Sequence, residues 1–195
     1  MSCEFGRRVR VTLFGQSHGE AIGAVIDGLP AGEAIDLDQA QAFLRRRAPG
    51  QAHATARVES DIPHVLSGLT DGHTCGAPLC AVIENHGANS RDYDALRDIP
   101  RPMHADYPAS VKFHGQADLR GGGMYSARLT AALCFAGAVC LQILARRGVR
   151  LGAHLLRVGE EEDAPFDPLM TDPAVFDLLA ARSPAALDEQ AGARM

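Results

Sequence analysis

From Leu129 to Ala145 the chain runs for seventeen residues with only Thr130 and Gln142 as polar interruptions. A helix built on such a stretch is apolar on most sides and needs cover on more than one face. The stretch is Ala-rich and slightly short of the roughly 20 residues a bilayer span takes. It therefore reads as a buried core helix, and no membrane partner is expected. The helix should open near Ser126 and close at Gly148, a C′ glycine behind Arg146-Arg147.

The segments around it must supply that cover. Val9, Val11 and Leu13 alternate with Arg10 and Thr12, the period of a half-buried strand. A second apolar run, Ala21 to Ile26, ends in the turn residues Asp27-Gly28-Leu29-Pro30-Ala31-Gly32. Asp36 with Gln39 three residues on is a capping-box pattern, so a helix is expected over 37–47, stopping at Ala48-Pro49-Gly50. Residues 50–62 read as a loop, Ser67–Pro78 as turns, and Leu79–Glu84 as a strand. Residues 86–123 show no clear period. Val149, Leu151, Ala153 and Leu155 alternate again and predict a strand, and Leu179–Met195 is weakly helical at most. Strands and helices mix without regular alternation, which favours an α+β fold over a doubly wound sheet.

Charge narrows the function. With no Trp, 5% aromatics and a net charge of −5, the chain lacks the equipment of a nucleic-acid binder. Its cations are 18 Arg and one Lys, and guanidinium forks match phosphate and carboxylate geometry. Residues 1–150 carry 16 basic and 15 acidic side chains, and residues 151–195 carry 3 and 9, so an anionic ligand belongs in the first 150. Five cysteines without a C-x-x-C pair form neither a disulfide framework nor a zinc site, and no metal is expected. Reduced thiols and an N-terminus without an apolar run point to a cytoplasmic setting.

Three segments can carry chemistry. Gly15-Gln16-Ser17-His18-Gly19 presents Ser17 and His18 between glycines, where a ligand can approach and a His can protonate a leaving oxygen, or it is a surface turn. Arg101-Pro102-Met103-His104-Ala105-Asp106 sets a carboxylate two residues after a His, where it orients the imidazole or caps a turn. Gly121-Gly122-Gly123-Met124-Tyr125-Ser126-Ala127-Arg128 reads as an anion site at a helix N-terminus or as a flexible linker. Arg45-Arg46-Arg47 is a phosphate candidate or a solvated helix end, and Arg57, Glu59 and Asp61 look like a surface salt-bridge set.

Extended to Arg10 to Gly19 and Arg120 to Thr130, and together with Val25 to Gly32, Arg46 to Gly50, Thr55 to Asp61, Leu66-Ser67-Gly68, Thr74 to Pro78 and Ser90 to Tyr93, these segments resemble the chorismate synthase family, in the family's order, over about residues 5–158. The resemblance implies part of a β-α-β sandwich, with 1–158 as the family-like N-terminal region and 159–195 as the acidic, loop-rich start of a second half. It implies a 1,4-anti elimination of phosphate from 5-enolpyruvylshikimate 3-phosphate, giving chorismate, with reduced FMN that is not consumed. NADP(H) is then a candidate flavin reductant and a homotetramer the expected assembly. By position His18 falls beside the leaving phosphate and His104 near the flavin ring. Arg46, Arg47 and Ser17 fall at the substrate and nucleotide site. Met124, Tyr125, Ser126 and Arg128 fall on the FMN segment.

The family usually has Glu at Gln16 and Gly at Met103, and many members have Arg at Met124 and Glu at Leu129. Members are roughly twice as long, and their second half brings further FMN contacts and a catalytic Asp. The alternative expectation is therefore an inactive N-terminal fragment that keeps partial ligand binding or self-association.

Overall fold

The computed structural model describes residues 3–47, 59–86, 93, 99–169 and 172–195. Pro49-Gly50, Arg57 and Ser90-Arg91-Asp92 lie outside the described residues. The chain divides into two compact units, Met1–Ile143 and Leu144–Met195, and the change to acidic composition at Gly159 falls inside the second.

In the first unit, β1 (Glu4–Gly6), β2 (Arg10–Gly15) and β3 (Ala21–Asp27) lead to helix α1 (Leu37–Arg45). Strands β4 (Pro63–Ser67), β5 (Leu69–Thr70), β6 (His73–Thr74) and β7 (Leu79–Glu84) follow, then helices α2 (Asp106–Lys112) and α3 (Thr130–Arg146). An antiparallel sheet of five strands has the order β1-β2-β3-β7-β4. Its register sets Ile22 opposite Ile83, Ala24 opposite Ala81 and Ile26 opposite Leu79. These apolar rows share one face and pack into a single core with Ala40 and Leu44 of α1 and with Ala132, Phe135, Ala136, Val139 and Ile143 of α3. On the other face the Phe14 ring lies over Gly23, where any Cβ would come within 2.3 Å of it.

The N-cap half of the pattern at Asp36 forms: its Oδ1 accepts from the N–H groups of Asp38 and Gln39 at 2.9 and 3.0 Å, a cap of about 1 kcal/mol, while the return bond expected from Gln39 is replaced by one from another helix. Gln142 then makes a paired contact with the same residue. Asp36 N–H donates to Gln142 Oε1 at 2.8 Å, and Gln142 Nε2 donates to the Asp36 carbonyl at 2.9 Å. The long helix also ends as expected. Gly148, at φ 74°, donates to the Ala145 carbonyl and Val149 to Leu144, the two bonds of a Schellman close. Arg120–Arg146 is long and apolar enough to cross a bilayer, and half of its most apolar stretch is buried within the protein.

Four expectations change. The α-helix begins at Thr130 and not near Ser126, because two 3-10 turns, Arg120–Tyr125 and Ala127–Leu129, precede it. The turn-rich stretch contains a small hairpin, β5–β6, closed by Asp71-Gly72 with φ of 50° and 76°, an Asp-Gly pair in the conformation of tight hairpins. Helix α2 lies in the segment without a clear period. The strand expected over 149–155 does not form: Val149, Leu151 and Leu155 are exposed, and among the described residues no strand pairs with them, so the alternation has no sheet to serve there.

The second unit holds the hairpin β8 (Arg157–Val158) and β9 (Glu161–Glu162), then helices α4 (Ala174–Ala181) and α5 (Glu189–Arg194). Its hub is the buried Asp163, which accepts from the N–H groups of Ala164, Leu187 and Asp188 and from His154 Nδ1 at 3.0 Å. Burial alone would raise this carboxyl. The backbone donors of Asp188 and Leu187, with His154 and Ala164, bring it down to about 2.

Candidate active site

The glycine run forms the floor of the site. Gly121, Gly122 and Gly123 have φ of 57°, 89° and 54°, which only glycine adopts freely. They are also crowded. A Cβ on Gly121 would lie 2.4 and 2.5 Å from Cδ2 and Nε2 of His18 and 2.8 Å from Ser17 Oγ. A Cβ on Gly122 would lie 3.0 and 3.5 Å from Cε1 and Nε2 of His104. Two histidines from separate loops thus bring their Nε2 edges to consecutive glycines. Ser17 is buried, and its N–H donates to the Gly123 carbonyl at 3.1 Å.

The glycines stand apart from the start of the α-helix, and the N–H of Gly122 is not bare. Gly122 N–H donates to the Leu119 carbonyl, and Ser126 caps the next turn by accepting from Arg128 N–H at 3.3 Å. The glycines serve as the flat surface on which imidazoles rest.

His104 Nδ1 stands 3.2 Å from Asp106 Oδ1. Asp106 also takes the Arg101 guanidinium through both oxygens, at 2.7 Å from Nε and 2.8 Å from Nη2. These bonds hold the Asp106 carboxyl at about 2, and Arg101 is raised in turn by the same pairing. The Arg101 guanidinium lies over Tyr93 at 5.5 Å, and Tyr93 meets the His18 ring edge-on at 5.0 Å. Asp118, lowered by its hydrogen bond with Arg120, adds negative charge near His18.

A cleft of about 270 Å³ opens beside this group, lined by Gln16, Phe113, Gln116, Ala117, Asp118, Met124 and Tyr125. Two of the four FMN candidates, Met124 and Tyr125, therefore face a cavity. Ser126 lies behind Gly122, its Cβ 3.4 Å from where a Cβ there would be. Arg128 is elsewhere: it is 6% exposed and ion-paired with Asp61, with Nε donating to Asn85 Oδ1 at 2.9 Å and Nη2 to the Glu84 carbonyl at 3.2 Å.

Asp61 is shared, since Arg47 Nη1 donates to its other oxygen at 2.6 Å. Glu59 is buried as well, 4.0 Å from Arg128. Glu59 and Asp61, read from sequence as surface partners, are in fact the anionic half of a buried cluster. Asn85 joins the cluster to the His18 loop by donating to the carbonyls of Gln16 and Gly19 at 3.0 and 2.9 Å. Arg46 is exposed, its guanidinium 5.4 Å from the Phe43 ring.

The residues that tie the site together are Arg101, Tyr93, Asn85 and Asp61. Sequence reading gave none of them a role in the site. For Arg101 the signal was its place three residues before His104. For Asp61 no local pattern distinguishes a buried carboxylate from a solvated one.

Two loop imidazoles over a glycine floor, with guanidinium groups and a partly apolar cleft beside them, form an arrangement that can do acid–base chemistry. Comparison with known proteins supplies the family. The family profile described as chorismate synthase matches residues 9–195, and the chain belongs to that family. It is 40% identical over 190 residues to the chorismate synthase of Thermococcus gammatolerans, covering 97% of this chain and 51% of that one. It is 49% identical over 155 residues to that of Porphyromonas gingivalis, covering 79% and 42%. A crystal structure of chorismate synthase superposes with a TM-score of 0.58 at 29% identity, over 80% of this chain and 39% of that one. The chain spans about half the length of the curated relatives it matches.

Proposed function

We propose that these residues form the histidine-bearing part of a chorismate synthase that eliminates phosphate from 5-enolpyruvylshikimate 3-phosphate to give chorismate. The observation that carries the reading is the convergence of His18 and His104 on Gly121 and Gly122. In this reading His18 Nε2 gives its proton to the departing phosphate oxygen. A phosphate leaves more readily when protonated and clamped by guanidinium groups. Arg46, exposed at the end of α1, and Arg47, braced by Asp61, are the groups assigned to that clamp, with Ser17 beside His18.

The cleft fits the ring of reduced FMN in its chemistry: a Met, a Tyr and a Phe for the faces, with Gln16 and Gln116 for the polar edge. Bound there, the reduced flavin supplies the electron-rich ring on which the elimination depends. Ser126 backs Gly122, and Arg128, held by Asp61, Asn85 and the Glu84 carbonyl, would not be the group that holds the FMN phosphate. A tetrameric assembly of the relatives' length is the form in which the whole site is proposed to work. The second reading, ligand binding without turnover by these 195 residues alone, is favoured by the coverage of about half of each relative.

The test is anaerobic phosphate release from 5-enolpyruvylshikimate 3-phosphate with photoreduced FMN. It is run on the chain alone and on the chain joined to the C-terminal part of a relative. Turnover in the joined protein, lowered about 10²–10⁴-fold by His18→Ala with little change in KM, supports the proposal. A folded joined protein without turnover, or one indifferent to His18→Ala, sinks it.

A further inference from the structure

Asp106 is 4% exposed at the start of α2, and it faces two partners. Its oxygens accept from Arg101 N–H, Nε and Nη2 at 3.1, 2.7 and 2.8 Å, and Oδ1 lies 3.2 Å from His104 Nδ1. We infer that Asp106 is the positioning residue of this site. It fixes His104 with its hydrogen on Nδ1, leaves Nε2 as the working nitrogen over Gly122, and is itself held in place by Arg101. The inference rests on the proposed reading of His104 as a group that works in the site.

An ionised carboxylate is an acceptor only. The two-oxygen pairing with Arg101 keeps Asp106 ionised and fixes the plane of its carboxyl group. At 3.2 Å, an ion-pair distance, an Nδ1 lone pair would face the carboxylate oxygen in repulsion while an Nδ1 hydrogen is attracted to it, so the charge of Asp106 favours the hydrogen on Nδ1. Nε2, on the far edge of the ring, is then an acceptor in neutral His104 and a donor in the imidazolium. The Nε2 edge is the one turned to Gly122.

Arg101 carries the ordering further. Its Nη2 also donates to the Leu119 carbonyl at 3.1 Å, directly before the turn that holds the glycines. Its guanidinium lies over Tyr93, which abuts His18. The contacts that orient His104 therefore reach the glycine floor and the second imidazole. A carboxylate that only closed the Arg101–Asp106 turn would leave the imidazole tautomer unassigned, and that difference is measurable.

The test is the ring ¹⁵N spectrum of histidine-labelled protein at a pH where the imidazoles are neutral. The spectrum is recorded by magic-angle spinning on sedimented full chain, so that self-association does not interfere. The His104 signals are assigned by their loss in His104→Gln. The expected result is a single tautomer protonated on Nδ1, which Asp106→Asn converts to a mixture or to the Nε2-protonated form while the His18 signals stay in place. An Nε2-protonated His104 in the unsubstituted chain overturns the inference, as does an Nδ1-protonated form that Asp106→Asn leaves unchanged. If Asp106→Asn does not fold, the unsubstituted spectrum decides alone. The readout uses neither substrate nor flavin. An inactive joined protein with Nδ1-protonated His104 therefore counts against the proposed activity, and an active one with Nε2-protonated His104 counts against the positioning role.

Discussion

Arg128 and Arg47 hold opposite oxygens of the same carboxylate, that of Asp61, which is itself 1% exposed. Arg128 reaches it from the turn before α3, and Arg47 from the end of α1. Removing the shared anion strands two guanidiniums in a largely buried setting. Breaking a buried pair in this way costs about 3–5 kcal/mol. Asp61→Ala is expected to lower the urea midpoint by a corresponding amount, with the m-value unchanged. A loss below about 1 kcal/mol would show that the cluster is solvated in solution.

Gly121→Ala is expected to cost more activity than stability. The methyl would lie 2.4 Å from the His18 ring, so the imidazole must move. A displacement of about 1 Å at a reacting group can lower turnover about 10²-fold, whereas the left-handed backbone adds only about 1–2 kcal/mol of strain. Turnover of the joined protein and thermal unfolding of the same variant separate the two effects.

Acid should unfold the protein through Asp106 and Asp163, both held at about 2 against an ordinary value of 3.8. A depressed folded-state value means that the unfolded chain binds more protons between the two. The stability these carboxylates contribute is therefore complete above about pH 4 and falls away as pH drops toward about 2. Urea midpoints measured from pH 5 to pH 2 should decline across that window. A flat profile there would contradict the depressed values.

The cleft of about 270 Å³ lies just under the usual size of a ligand pocket, about 300–1,000 Å³. Arg128, one of the residues expected on the FMN segment, is committed to Asp61. The 195 residues alone are expected to bind reduced FMN more weakly than about 1 µM, which corresponds to about −8 kcal/mol. Anaerobic titration calorimetry would measure this. Tighter binding would favour turnover by the chain itself over the second reading.

Much of the first unit was legible because its signals are local. Strands β2, β3 and β7 alternate or run apolar, and Asp36 and Gly148 mark helix ends through their own side chain or φ. Strand β4 escaped because Pro63, His64 and Ser67 carry no alternation, and its place comes from pairing with β7. Residues 149–155 show the reverse, an alternation with no partner. In the site, His18 and His104 stood out as loop histidines near glycine or proline. Their meeting over Gly121 and Gly122 is tertiary, and so is the burial of Arg128. A guanidinium in an anion-friendly motif reads the same whether it faces a ligand or Asp61.

The two bonds between Gln142 and the Asp36 backbone also act as an index mark on α3. A helix faced with alanines on several sides depends on few features to resist turning by one residue, about 100°, in its socket. Such a turn would break both bonds and carry Phe135, Val139 and Ile143 away from the core they fill. The amide therefore helps set the phase of the whole rod. It does so for the far end too, where Ser126 and the glycines meet two imidazoles.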